Sequence, residues 1–187
     1  MRALVVACAL GGVVLTGCGS DDGAAPRDPE APRTIDVSSP AFTEGGPIPE
    51  EYTCRGKGIS PELSWSGVPA EGQIALVVDD PDAPHGDYVH WIVIVSSGAT
   101  GRVTAGAPPP SAQEVAGSGG RGWTAPCPPS GTHHYRFTVY ALPQNQTFAV
   151  EGGSPVDFAS VLAKEAVAWG RLTGTVTASG GDSGGGY

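Results

Sequence analysis

The sequence predicts a mainly β protein with one helix near the C-terminus. From Thr34 to about Ala178, short β-branched and apolar runs alternate with turn-forming stretches drawn from 29 glycines and 18 prolines. Only one segment in that range carries a helix-start signal followed by apolar residues at helical spacing. No internal repeat is present.

Arg2 is followed by the apolar run 3–14 and then by Leu15-Thr16-Gly17-Cys18. A short apolar stretch behind one positive charge reads as an export signal and is too short to span a bilayer as a mature helix. A cysteine directly after Leu-Thr-Gly resembles the bacterial lipobox, in which that cysteine is lipidated and becomes the new N-terminus. Residues 1–17 are thus expected to be removed and Cys18 to carry the anchor. This places the protein at the bacterial cell membrane, facing the exterior or periplasm. Residues 19–33 have little to bury and many turn formers, so they read, behind Cys18, as a flexible tether.

The folded part is expected over residues 34–178, one domain's worth of chain. Ile74–Val78, Val89–Val95 and Tyr135–Leu142 read as interior strands; Thr34–Val37, Leu63–Trp65 and Leu172–Thr177 read as shorter ones. Ser154-Pro155-Val156-Asp157 offers an N-cap, a proline in the first turn and an acid at the third position. Phe158, Val161, Leu162, Glu165 and Trp169 continue at helical spacing until Gly170, which predicts a helix reaching Trp169. The stretch Ser96–Pro129, with its proline triplet and "GSGGRG", reads as one long loop.

Once Cys8 is lost with the signal and Cys18 is lipidated, Cys54 and Cys127 remain. In an oxidising exterior this pair is expected to form a disulfide; two separately buried thiols are the alternative. The formal net charge is −9 with no basic cluster, which excludes nucleic acid as a partner and bulk-charge binding to anionic lipid. Any bound anion must be caught by local donors.

The tail, residues 179–187, contains Gly181-Asp182-Ser183-Gly184-Gly185, a string that surrounds the nucleophile of chymotrypsin-like proteases. That scaffold builds its specificity pocket from strands after the serine, and only four residues follow Ser183. The tail is expected to be disordered and non-catalytic. No catalytic residue, cofactor or metal site is assigned: neither a His-x-x-x-His nor a Cys-x-x-Cys pair occurs, and no activated nucleophile is visible.

Three clusters carry the chemistry. Asp79-Asp80-Pro81-Asp82-Ala83-Pro84 follows the strand 74–78. His90-Trp91 lies inside the next strand, where simple alternation puts His90 on one face with Ile92 and Ile94. Cys127-Pro128-Pro129-Ser130-Gly131-Thr132-His133-His134-Tyr135 leads into the strand 135–142, with His133 and Tyr135 on one face and His134 on the other.

In this order, D-P-D-x-P, H-W on a strand and P-P-x-G-x-H-x-Y leading into "FTVYAL" resemble the phosphatidylethanolamine-binding protein (PEBP) family, also called the Raf kinase inhibitor protein family, in its bacterial branch. "YTCRGKGISPELSWSGVP" and "APCPPSG" are similar to further stretches of that branch, and the resemblance runs from about residue 35 to 178. It implies two antiparallel sheets with peripheral short helices and a small end pocket that takes phosphate-type anions or phospholipid headgroups without catalysis. Asp80, Asp82, His90, Pro129, His133 and Tyr135 match the family's pocket residues. His134 stands where an arginine is common, and Ala125 where a glycine is usual. An exported protein-interaction role, as a protease or kinase inhibitor, is the other function that the resemblance implies.

The physical reading of the cluster is that imidazole N–H groups, the Tyr135 hydroxyl and loop amides supply donors to an anion, while Asp80 or Asp82 orients the imidazoles. On that reading phosphate binds more tightly as pH falls through about 6.5, the ordinary histidine value.

Overall fold

The computed structural model describes residues 28–69, 72–95, 101–109, 112–144, 146, 148 and 153–179. The expected signal, the lipidation site Cys18, most of the tether and the tail with Ser183 lie outside the described residues.

Among the described residues, nine strands form two antiparallel sheets. The larger has the order β7-β6-β4-β3-β8-β9 and the smaller β1-β2-β5. The strands are β1 Asp36–Ser38, β2 Leu63–Ser66, β3 Gln73–Asp80, β4 Tyr88–Val95, β5 Arg102–Val103, β6 Gln113–Gly117, β7 Gly120–Arg121, β8 Thr132–Leu142 and β9 Ala168–Thr177. Helix α1 spans Pro155–Glu165, and one 3-10 turn spans Glu50–Tyr52.

The three central strands read as continuous apolar runs because both faces of the large sheet are covered. Leu76, Val78, Trp91, Val93, Tyr135, Phe137 and Val139 face the small sheet and the N-terminal segment, where Phe137 meets Phe42 with ring centroids 5.3 Å apart. Ala75, Val77, Ile92, Ile94, Tyr140 and Leu142 face α1, whose Phe158 and Leu162 complete a second core. Alternation along β3, β8 and β4 from Trp91 onward divides the residues between these two cores, which fixes the register there.

Helix α1 begins as its signal predicts: the Ser154 side chain accepts from the Asp157 backbone N–H, and the Asp157 carboxylate accepts from that of Ser154. It ends earlier than expected. Ala166 is already extended, and β9 pairs with β8 over ten positions from Ala168, so Trp169 belongs to a strand. The backbone of Ile35 runs against Gly170, where an added Cβ would stand 1.8 Å from the Ile35 carbonyl oxygen. Gly170 therefore admits a neighbouring chain rather than stopping a helix.

Residues 28–33 also depart from the tether reading. Trp169 donates through Nε1 to the Ala31 carbonyl at 2.9 Å, Arg171 pairs with Asp28 at 2.6 Å, and Arg33 and Arg171 place their guanidiniums 5.2 and 5.0 Å from the Trp169 ring centre. Two cation–π contacts and a buried indole offset the cost of ordering a segment that composition alone marks as flexible.

The expected loop Ser96–Pro129 contains β5, β6 and β7. Strand β6 pairs with only Ile92–Ile94 of β4, and its "QEVAG" has a single strong apolar residue, too few to reveal a half-buried strand. Cys54 and Cys127 form the disulfide, with Cα atoms 5.4 Å apart and a sequence separation of 73. The bridge joins the segment after the 3-10 turn to the loop that feeds β8, and closing a chain of that length contributes about 4 kcal/mol in the chain-entropy model.

Candidate functional site

Strand β3 ends in two consecutive buried acids, and its pleat sends them to opposite faces. Asp80 turns toward the small-sheet side and meets His133 of β8, whose Nδ1 lies 2.7 Å from Asp80 Oδ2; Asp80 has no exposed surface and His133 is 6 % exposed. The other carboxylate oxygen, Oδ1, accepts from the Asp82 backbone N–H at 2.9 Å, closing the Pro81 turn. Two residues along β8, Tyr135 shares the face of His133 and is fully buried.

His90 joins this group through a β-bulge. Asp79 pairs with Val89 and Val78 with Trp91, so His90 has no partner position on β3. The extra residue breaks the alternation. Val89 packs in the α1-side core with Ile92 and Ile94, whereas His90 stands against Tyr135 with ring centroids 5.3 Å apart and against Tyr88 at 4.8 Å. Simple alternation put His90 on the face of Ile92 and Ile94; the bulge re-aims it to the opposite face.

The folded chain thus gathers Asp80, His90, His133 and Tyr135 at one end of the large sheet. Asp82 is not drawn in: its Oδ2 lies 2.7 Å from His134 Nδ1 and accepts from the His134 backbone N–H at 2.8 Å, on the exposed side of β8. Partial burial works to raise the Asp82 pKa, but the His134 hydrogen bonds and charge outweigh it and hold this carboxyl below its usual range. Pro129 is half-buried in the loop between Cys127 and β8. It offers no side-chain donor. Among the described residues, no three His, Cys, Asp or Glu side chains are grouped as metal ligands would be.

Burial pushes the His90 pKa down to about 4, against the upward pull of the Thr124 carbonyl and of Asp80. His90 is therefore neutral at physiological pH, and any tightening of anion binding near pH 6.5 cannot come from this ring. On the opposite face, Asp79 receives Nε of Arg136 at 2.9 Å and is also bonded by Nη2, which reaches Asp87 at 3.5 Å. Desolvation, then repulsion from Asp79, raises the Asp87 pKa to about 8 in spite of Arg136.

Of these residues the sequence clusters include Asp79 but not Asp87, Arg136, Tyr88 or Thr124. Tyr88 stands two residues before His90 and was open to an alternation argument. A backbone carbonyl such as that of Thr124 leaves no trace in a sequence.

The Asp87 shift has a testable sign. A carboxyl raised in the folded state contributes stability that is complete below the unfolded value near 3.9 and is lost as pH rises to about 8. Wild-type melting temperature is expected to fall between pH 6.5 and 8.5, and Asp87→Asn to flatten that fall. Thermal denaturation across the interval measures it, and parallel curves for the two proteins would contradict the assignment.

Residues 38–177 match the family model described as phosphatidylethanolamine-binding protein. The chain belongs to the phosphatidylethanolamine-binding protein family. Relatives within and near this PEBP family include UPF0098 protein Rv1910c of Mycobacterium tuberculosis, 47% identical over 152 residues, which covers 79% of this chain and 73% of the relative. "Putative lipoprotein LppC" of the same organism is 39% identical over 181 residues, covering 87% of this chain and 90% of LppC. Escherichia coli YbcL, whose crystal structure is described as that of a new member of the mammalian PEBP family, superposes with a TM-score of 0.70 at 26% identity, covering 78% of this chain and 99% of YbcL. Two antiparallel sheets with a C-terminal helix are thus the PEBP architecture in this chain.

Proposed function

We propose that this PEBP-family domain binds small phosphate-type anions or phospholipid headgroups without transforming them, at the end of the large sheet where Asp80, His90, His133 and Tyr135 meet. The observation that carries the reading is the His133–Asp80 pair. A buried carboxylate holds Nδ1 of the imidazole at 2.7 Å, which fixes the ring and directs Nε2 away from the carboxylate. His133 is the member of this quartet with the most exposed surface, so it is the group that first meets a ligand. Against a net charge of −9, a local donor backed by a buried acid is the physical means of holding an anion.

The lipobox-like Leu-Thr-Gly-Cys18 and the name of the relative LppC support anchoring of the domain to the membrane through Cys18. Multiple acyl chains, each contributing roughly 0.8 kcal/mol per buried methylene, hold such a domain durably. Native mass spectrometry of the full chain purified with its lipids, beside His133→Ala, tests both parts. The expected result is a phosphate-bearing adduct retained by the wild type and lost in the variant, with a lipid mass on Cys18. Equal adducts on both proteins would overturn the assigned site, and an unmodified Cys18 would overturn the anchor.

A further inference from the structure

The bulge that aims His90 has to be held, because β3 no longer pairs with that residue. The segment 118–124, which includes β7, bonds this stretch of β4 from its other edge. The Ser118 backbone N–H donates to the Val89 carbonyl at 2.8 Å, and the Val89 N–H donates to Ser118 Oγ at 3.0 Å. The Thr124 N–H donates to the His90 carbonyl at 3.1 Å, and the Thr124 carbonyl lies 2.9 Å from His90 Nδ1. Continuing from β6, which pairs with β4 only over Ile92–Ile94, this segment therefore stands in for a strand along Val89 and His90, the latter having no partner on β3.

The last contact also decides where the imidazole proton sits. A carbonyl oxygen can only accept, so Nδ1 carries the hydrogen. In a neutral ring Nε2, on the other edge, is then a lone-pair acceptor. Burial keeps the ring neutral, since His90 has no exposed surface. A fully deprotonated anion presents only acceptors and is opposed by that lone pair. Hydrogen phosphate carries a P–OH from which Nε2 can accept throughout the neutral range, and a phosphomonoester carries one below its second pKa near 6. Sulfate has none to offer.

We propose that Ser118 and the Thr124 backbone are positioning groups that hold His90 as an acceptor at the anion site, and that the site therefore selects phosphates carrying a proton over sulfate. The inference rests on the anion-binding reading and goes further by naming the protonation state of the ligand. His133, held by Asp80, remains the donor, so the pair offers one donor and one acceptor to the same group.

The test titrates the full chain at pH 6 with inorganic phosphate and, separately, with sulfate by calorimetry. Nitrogen-15 NMR of the histidine rings is recorded for the wild type, Ser118→Ala and Ser118→Thr. The wild type is expected to show the Nδ1-protonated signature at His90 and to bind phosphate at least about tenfold more tightly than sulfate, the worth of one hydrogen bond. Ser118→Ala is expected to mix the two tautomers and draw that ratio toward one; Ser118→Thr, which keeps the hydroxyl, is expected to restore both. Equal affinity for the two anions in the wild type overturns the inference and leaves anion binding standing, as does a folded Ser118→Ala with tautomer and ratio unchanged. If neither anion binds, the anion-binding reading falls and this inference with it. Should Ser118→Ala fail to fold, the wild-type tautomer and ratio decide.

Discussion

Replacing His133 with alanine is expected to weaken phosphate binding by about 100-fold, the worth of one charge-assisted hydrogen bond near the upper end of its range. The same change at His134, one residue along β8, is expected to leave affinity within about threefold, because its ring is exposed and engaged with Asp82 on the other side of the strand. Calorimetric titration of the two variants against the wild type checks the contrast. It is sharp because the residues are adjacent: the pleat of one strand separates a buried ring backed by Asp80 from an exposed ring backed by Asp82. Similar losses in both would mean that phosphate is held by general positive charge at the end of β8, and not by the buried quartet.

Arg136→Ala is expected to be the most destabilising single change in the neighbourhood, costing about 3–5 kcal/mol. The Arg136 side chain is 14% exposed and makes two hydrogen bonds to Asp79, whose own side chain is 6% exposed. Removing the guanidinium leaves the Asp79 carboxylate buried without its cation, beside an Asp87 side chain with no exposed surface. Urea unfolding at neutral pH measures the loss. A variant within about 1 kcal/mol of wild type would show that this group relaxes to water more readily than a buried ion pair does. Because Asp79 adjoins Asp80, the arginine also steadies the end of β3 from which His133 is held. The Arg136 variant is therefore expected to lose some phosphate affinity without touching the ligand.

The three central strands were legible because both their faces are buried, so that apolar residues run on without interruption, as in Ile74–Val78. The helix start was legible because its cap is local chemistry written in four residues, Ser154 to Asp157. The helix end was not. Trp169 sits at helical spacing from Phe158, Leu162 and Glu165, yet ten ladder positions with β8 and a close pass of Ile35 over Gly170 claim that stretch for a strand. Tertiary pairing overrode a local pattern. The same holds at residues 28–33, whose composition says tether while Trp169 and Arg171 hold them in place.

At the site, His133, Tyr135 and Asp80 came from strand alternation and motif order, and the folded chain brings them together. His90 was chosen for the site but placed on the wrong face, since a bulge is one residue of register that no alternation rule foresees. Asp82 was grouped with Asp80 by the motif, although the intervening Pro81 turn carries its carboxylate to His134. The expected pH response was tied to ordinary histidine titration, and burial removes His90 from it. What the sequence could not convey in each case was the direction of a side chain set by a distant segment.

The chain has four histidines, His85, His90, His133 and His134. They divide evenly between the buried quartet and the exposed surface, which makes one titration decisive. Inorganic phosphate added at pH 7 to the nitrogen-15-labelled protein, followed by long-range proton–nitrogen correlation of the imidazole rings, reads all four at once. The account predicts that His90 and His133 shift together along one saturating curve while His85 and His134 stay in place. Movement of His85 or His134 without the buried pair, or equal and unsaturating drift of all four, would contradict it.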